Sequence, residues 1–403
     1  MKTMDRAAAK VGMDVHRRFS KVTARNAEGK IVGRERLEHG DRRALQERLG
    51  AWAKGIPVVL EASFGWAWLC EELERAGLEP HLASSRKVAA WRDARGIAKS
   101  NRTDADLLSE LWSPTDRWWE VWLPPREVRE QREWMRYRMT LVGLQTGLKN
   151  RIHAILHRHG ILHDFSDLFG TQGRLMLTRL THASQNERLG ESGRATLKGY
   201  LQLLDHLRRQ IAAVTRTVYR QRCETPAGKR LRSVPGIGAV LAYTILAEVG
   251  DFGRFRSAKH LSSYSLLAPR AYDSGEETDE APNGRHVGHV GRRTLKWAWI
   301  EAARGAVRRG GRFRARFDGY TDGGKRNRNR GYILVAHDLC RTAYGISKKE
   351  MDYCDDPPER PGSSKKGASS PRQDSPCDPR SNATLRNSRP GTGQPDRGLV
   401  VVG

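Results

Sequence analysis

Cysteine is scarce in this sequence, and the few cysteines present follow no pattern. Five occur, at positions 70, 223, 340, 354 and 377, and no two of them form a CxxC pair. The odd number and the wide spacing argue against a disulfide framework and against a zinc ribbon. Scattered free thiols of this kind favour a reducing, cytoplasmic environment.

Long apolar runs are also missing. No stretch approaches the roughly 20 apolar residues that a membrane-spanning helix needs. The first residues, MKTMDRAAAKVGMDV, contain no apolar core of the kind that a secretory leader carries. The sequence therefore predicts a cytoplasmic protein without a membrane partner.

Positive charge, by contrast, is abundant. The chain has 72 lysines and arginines against 46 aspartates and glutamates, a formal net charge of +26. A surplus of this size implies a polyanionic partner, and nucleic acid is the first choice. We therefore expect a protein associated with the nucleoid, although net charge does not distinguish RNA from DNA.

The length of 403 residues favours two or three domains, and the patterns change three times along the chain. Residues 8–117 show a hairpin followed by alternating strand and helix signals, which predicts an α/β domain. Residues 118–225 have helical spacing among many arginines and predict a long, coiled-coil-like helical arm. Residues 226–346 predict a third, mostly helical unit, and the Pro-, Ser- and Gly-rich residues 347–403 predict a disordered tail.

Two carboxylates fall near the ends of predicted strands. Asp14 lies near the end of the first strand, in VGMDVH, and Glu61 ends the buried strand in IPVVLEA. Acids at the ends of neighbouring strands can converge, and Mg²⁺ is held by a few carboxylates together with water and phosphate oxygens. Such a site in a basic protein indicates nuclease or strand-transfer chemistry. The alternative is that each acid is an ordinary turn or cap residue.

A third acidic segment, KSNRTDADLLSEL, predicts a helix. Residues three apart share a helix face, so Asn101 and Asp104 point together. Asp104 and Asp106 lie about 200° apart at roughly 100° per residue, so Asp106 is expected to face elsewhere, toward solvent or an arginine. The alternative is that Asn101 is an N-cap and Asp104 a first-turn acid that favours the helix dipole.

A glycine-rich turn, VPGIGAV, opens a helix in the third unit. Free backbone N–H groups at a helix start suit a phosphate, and the pattern is similar to a helix-hairpin-helix that grips the nucleic-acid backbone. Pro235, Gly236 and Gly238 are the residues whose backbone would make this contact. A tight turn before a core helix is the alternative.

These motifs together resemble the DEDD transposases of the insertion-sequence-110 (IS110/IS116/IS902) family, whose relatives include Piv-type DNA invertases. The resemblance is carried in order by VGMDVH, VVLEASFGWAWLCEELERAG, KSNRTDADLLSEL, RYRMTLVGLQTGLKNRIHAIL, VPGIGAVLAYTILAEVGDFGRF and GHVGRRTLKWAWIEAA. It extends from about residue 11 to residue 310, so the match rests on several ordered motifs and not on one.

The resemblance implies a RuvC-like (RNase H-type) N-terminal domain with four Mg²⁺-binding positions. By motif position these are Asp14, Glu61, Asn101 and Asp104, with Asp14, Glu61 and Asp104 as catalytic acids. The third family acid is an asparagine in this chain. Its amide oxygen can coordinate a metal but brings no negative charge.

The resemblance also implies a serine nucleophile, Ser274 in RAYDSGEE, that forms a covalent phosphoserine link with DNA. A lone Ser-Gly pair would otherwise indicate only a loop turn. Arg285, Arg292, Arg293 and Lys296 follow, and are expected either to bind phosphate near the serine or to form a solvated basic face. Further implications are guidance by a structured noncoding bridge RNA and assembly of dimers into a tetramer.

Three functions are therefore open on the sequence alone. The first is an active recombinase that uses the acids and Ser274. The second is a RuvC-like nuclease that hydrolyses branched DNA without a serine intermediate. The third is a catalytically inactive copy that still binds nucleic acid, which Asn101 suggests.

Overall fold

The computed structural model describes residues 8–63, 65–98, 101–113, 119–182, 188–268 and 293–355. No helix within these residues is both long enough and apolar enough to cross a membrane.

The N-terminal part is built on a six-stranded sheet. The strands are β1 (Lys10–Val15), β2 (Phe19–Arg25), β3 (Ile31–Glu38), β4 (Pro57–Glu61), β5 (Glu79–Ala83) and β6 (Glu120–Val121), in the spatial order β3-β2-β1-β4-β5-β6. The first three strands are antiparallel, β4 and β5 run parallel to β1, and β6 is antiparallel to β5. This mixed sheet confirms the α/β class predicted for this part of the chain, and its last strand lies just beyond residue 117.

Four helices cover the sheet: α1 (Arg42–Gly50), α2 (Trp66–Arg75), α3 (Ser85–Ala94) and α4 (Asn101–Leu111). Because side chains alternate along a strand, Met13 and Leu60 enter one core with residues of α1 and α2. Val59 points to the opposite face and packs with residues of α3 and α4. The helix that carries Asn101 and Asp104 therefore lies on the face opposite to Met13.

The middle of the chain contains two long helices, α5 (Arg126–Arg158) and α7 (Glu191–Val218), with the short α6 (Thr171–Arg179) between them in sequence. The start of α5 packs with the end of α7, as Met135 does with Val214. The end of α5 packs with the start of α7, as Ile152 does with Leu197. The two long helices are therefore antiparallel.

The C-terminal part is helical among the described residues. A short π-helical turn (Tyr219–Cys223) leads to α8 (Pro226–Ser233), α9 (Ala239–Val249), a 3₁₀ turn (Phe252–Arg254) and α10 (Ala258–Tyr264). After residue 292 come α11 (Arg293–Arg309), α12 (Gly311–Thr321) and α13 (Arg328–Lys349). This confirms the mostly helical C-terminal prediction, and α13 continues three residues into the segment predicted as a tail.

Buried arginines at the start of α5 connect the N-terminal and C-terminal parts. Arg129 donates hydrogen bonds to the Pro124 carbonyl and to Glu71 of α2. Arg132 donates to the carbonyl oxygens of Ala247 and Glu248, at the end of α9. Charge-assisted hydrogen bonds are stronger than neutral ones, so the first two turns of α5 hold α2 and α9 in a fixed relation.

Candidate active site

Asp14 and Glu61 lie side by side at one edge of the sheet. The parallel register pairs Gly12 with Val59 and Met13 with Leu60, and Asp14 and Glu61 are the next residues of their strands. Strand alternation puts both side chains on the face opposite to Met13, which is the face that α4 covers. Two carboxylates thus share one edge and one face of the sheet.

The α4 helix can approach this edge because residue 12 is glycine. A Cβ atom at position 12 would lie 2.1 Å from the Ser109 backbone nitrogen and 2.4 Å from the Ala105 carbonyl oxygen. Contacts that short do not occur between real atoms, so any larger residue would push α4 off β1. Gly12 therefore seats the turn of α4 that follows Asp104 directly on the strand that carries Asp14.

Two of the candidate acids, Asp14 and Asp104, have basic groups beside them. The Asp14 carboxylate lies 3.0 Å from Nε2 of His16, and the Asp104 carboxylate accepts a 3.4 Å hydrogen bond from Arg92 of α3. Asp104 and Arg92 are mostly buried, at 16% and 13% side-chain exposure. Asn101 begins α4, but its side chain lies outside the described part of the chain.

Asp106 faces away from Asp104, as the helix spacing predicts. Its carboxylate accepts two 2.9 Å hydrogen bonds from the Arg34 guanidinium and one of 2.7 Å from the Thr23 hydroxyl. This two-pronged pair ties α4 to β2 and β3. These contacts of Asp106 therefore hold α4 against the antiparallel part of the sheet.

Replacing Asp106 by alanine is expected to lower the free energy of unfolding by about 1–2 kcal/mol, because a half-buried bidentate pair and a hydroxyl hydrogen bond are lost together. Urea unfolding of the full chain measures this. The matched control is Glu47→Ala, which removes an exposed pair with Arg43 and should change stability by less than about 0.5 kcal/mol. Equal effects of the two substitutions would show that Asp106 does not anchor α4.

The acids at this edge of the sheet form a small set of possible metal donors. Within the described residues, no group of three or more His, Cys, Asp or Glu side chains is arranged to hold a metal ion. Mg²⁺, however, is usually bound by one or two carboxylates together with water and substrate phosphates. Asp14 and Glu61, adjacent on parallel strand ends, fit this ion by their chemistry.

The glycine-rich turn of the C-terminal part connects α8 to α9. Gly236 has φ = +84°, and a Cβ there would lie 2.1 Å from the Ala302 carbonyl oxygen of α11. Gly238 is exposed at the start of α9, with nothing near its Cβ position, whereas Pro235 is half-buried. The structure therefore gives Gly236 a packing role and leaves Gly238 as the more accessible backbone position.

The predicted nucleophile and two of its basic neighbours, Ser274, Arg285 and Arg292, lie outside the described residues. Arg293 is exposed in the first turn of α11. Lys296 is half-buried one turn later, and this burial lowers the pKa of its ammonium group.

The partners of the acids were not identified from the sequence. Arg92 is one of many arginines in the chain, and nothing in its neighbourhood distinguishes it from the exposed ones. His16 follows Asp14 by two residues, a spacing that in extended backbone puts both side chains on the same side, and this is the one signal that the sequence offers.

Comparison with known proteins places both halves of the chain in one group. A model for DEDD transposases of IS110 elements, described as "Transposase", matches residues 11–161. A second model, described as "Transposase IS116/IS110/IS902 family", matches residues 228–318. Together they cover Asp14, Glu61, Asp104 and Ser274, and they end before α13.

Curated proteins show the same similarity. A probable family 20 transposase of Pseudomonas aeruginosa is 25% identical over 74% of this chain and 84% of its own length. The transposase of insertion element IS1111A from Coxiella burnetii is 24% identical over 66% of this chain and 70% of its own. The pilin gene-inverting protein of Moraxella bovis is 38% identical over 17% of this chain and 20% of its own length.

Proposed function

We propose that this chain, which belongs to the IS116/IS110/IS902 transposase family, cuts and rejoins the DNA strands of an insertion sequence by means of an acidic Mg²⁺ site and a serine nucleophile. The observation that carries the acidic half is the pairing of β1 with β4, which sets Asp14 beside Glu61 on the face covered by α4.

Asp14 and Glu61 would hold the metal, with Asp104 and the amide oxygen of Asn101 as the remaining donors. The bound ion would neutralise charge on the scissile phosphate. Arg92 holds Asp104 by a long, 3.4 Å hydrogen bond, which is weak enough to be exchanged for another partner. His16 would orient the Asp14 carboxylate, because its Nε2 atom lies 3.0 Å from Asp14 Oδ2.

Ser274 would supply the nucleophile. Its hydroxyl oxygen bonds to the scissile phosphorus, the bond from phosphorus to the leaving deoxyribose oxygen breaks, and the hydroxyl proton is passed to a base while the leaving oxygen gains one. Attack by a strand hydroxyl on the phosphoserine then restores the serine and joins the DNA. The DNA backbone would be held by Gly238 with Pro235 and Gly236 in its turn, and by Arg285, Arg292, Arg293 and Lys296.

A structured bridge RNA and a tetramer built from dimers complete the proposal. The net charge of +26 supports binding of more nucleic acid than one duplex site, because each neutralised phosphate adds salt-sensitive affinity. The exposed Tyr137, Leu144 and Leu203 on the antiparallel α5–α7 pair support a further protein contact there.

The test uses the full chain with two plasmids, one carrying the ends of the element and one a target, with and without a transcript of the element's noncoding end. Joined junctions that require both Mg²⁺ and the transcript would support the proposal. Nicked or hydrolysed DNA without junctions would indicate the structure-specific nuclease instead. Binding without any cleavage would indicate the inactive copy.

Asn101 is the position that separates the active from the inactive copy. Replacing Asn101 by aspartate is expected to raise recombination at limiting Mg²⁺ by about tenfold, because position 101 then carries a charge worth roughly 1.4 kcal/mol in metal binding. The measurement is junction yield across a Mg²⁺ titration.

The control for this gain is Asn101→Asp combined with Asp104→Asn, which restores the original number of charges and should cancel the gain. An unmodified chain that is inert and becomes active on Asn101→Asp would identify the natural sequence as an inactive copy. No gain at any Mg²⁺ concentration would contradict a metal-binding role for position 101.

A further inference from the structure

A concentrated positive charge lies between α12 and α13. Residues 325–330, with the sequence KRNRNR, form the end of the turn and the start of α13, and we call them the basic turn. All six residues are exposed. None of the four cations, Lys325, Arg326, Arg328 and Arg330, makes an ion pair with a carboxylate in the part of the chain that the structure describes.

The basic turn is held on a rigid base. Gly331 lets α13 approach α12 closely, because a Cβ there would lie 2.3 Å from the Thr321 methyl group. The Thr321 carbonyl accepts a 2.9 Å hydrogen bond from the Arg326 backbone, and its hydroxyl accepts one from Gly324. The cations therefore extend from a fixed helical hairpin, so a ligand would not have to order the backbone first.

The position of these charges does not help the helix that carries them. Arg328 and Arg330 occupy the first turn of α13, which contains no acidic residue, and a cation is unfavourable at the positive end of the helix dipole. Arg308 and Arg309, in the last turn of α11, are at the end where a cation is favourable. A contribution to helix stability therefore explains Arg308 and Arg309, but it does not explain the two arginines at the start of α13.

We infer that the basic turn binds the phosphate backbone of duplex DNA, as an additional contact of the transposase beyond its catalytic residues. This inference rests on the proposed function for its choice of DNA. The turn lies after residue 318, where the matched family segment ends. Arginine, lysine and asparagine all donate to phosphate oxygens, and the turn has no aromatic residue on which an unpaired base could stack.

The experiment measures binding of the full chain to a labelled DNA duplex by fluorescence anisotropy, at salt concentrations from about 0.05 M to about 0.3 M. The variant Lys325→Gln, Arg326→Gln, Arg328→Gln, Arg330→Gln is expected to reduce the slope of log K against log salt by about 3 to 4, since each phosphate contact contributes about 0.9. A slope equal to that of the natural chain would overturn the inference.

A charge-conserving variant is the matched control. Lys325→Arg, Arg326→Lys, Arg328→Lys, Arg330→Lys should keep the natural slope and the natural unfolding midpoint. The glutamine variant should unfold at or slightly above that midpoint, because it removes two cations from the positive end of the α13 dipole. A loss of slope in both variants would overturn the inference, because the effect would not follow charge. A lower salt slope that appears in the glutamine variant only when the probe is a single-stranded RNA of the same length would also overturn the inference.

This binding measurement is separate from recombination. A charge-dependent slope in a chain that forms no junctions would support the DNA contact and contradict the proposed activity. Junction formation by the natural chain, with a slope in the glutamine variant equal to the natural one, would support the proposed activity and contradict the DNA contact of the basic turn.

Discussion

Replacing Gly12 by alanine is expected to destabilise the N-terminal domain by about 3 kcal/mol or more, at the upper end of the range for overpacking. The reason is that the added Cβ would meet backbone atoms of α4, the Ser109 nitrogen at 2.1 Å and the Ala105 carbonyl at 2.4 Å. A side chain could rotate away from such a contact, but a helix backbone must move as a unit. Displacement of α4 also moves Asp104, so strand cleavage is expected to fall with stability.

Urea unfolding of the full chain, followed by circular dichroism, measures the effect. Gly40→Ala is the control, because Gly40 is exposed and has no atom within 4 Å of its Cβ position. A glycine-to-alanine change at such a site alters stability by less than about 1 kcal/mol. Equal stability of the two variants would mean that α4 does not rest on β1 as described.

Local periodicity was enough to predict the parts of the site that depend on one element. Short apolar runs identified the strands that carry Asp14 and Glu61 at or near their ends, and the parallel register of β1 and β4 puts these two residues together. The helix angle between Asp104 and Asp106 predicted that the second aspartate would face away, and Arg34 is the arginine that it meets. Each of these inferences needs only residues a few positions apart.

Contacts between distant segments could not be predicted in the same way. In the sequence Gly12 lies in a predicted strand and Gly236 in a predicted turn, but each is a point where a helix more than 60 residues away approaches the backbone closely. Arg92, which holds Asp104, and Arg132, which caps α9, belong to a large set of arginines with similar neighbours. Which arginine becomes buried depends on tertiary packing, which the local pattern does not contain.

The role of Ser274 rests on motif position alone, so its prediction is the sharpest test of the proposed mechanism. Replacing Ser274 by alanine is expected to abolish the covalent protein–DNA adduct completely, because the methyl side chain of alanine has no nucleophilic atom that could bond to phosphorus. Recombination should fall below detection in the same reactions. DNA affinity should stay within about twofold, because a single hydroxyl contributes little to a binding free energy dominated by phosphate contacts.

Denaturing gel electrophoresis of trapped reactions on labelled DNA separates the possible outcomes. Ser263→Ala is the matched control, since Ser263 is an exposed serine on α10 of the same C-terminal part, and it should keep the adduct. Mg²⁺-dependent cleavage that survives Ser274→Ala would show that the acids activate water, as a RuvC-like nuclease does. Because the acids and the serine act on the same phosphate in the proposed mechanism, Asp14→Asn should also remove the adduct while leaving Ser274 in place, and an adduct that persists in that variant would separate the two halves of the site.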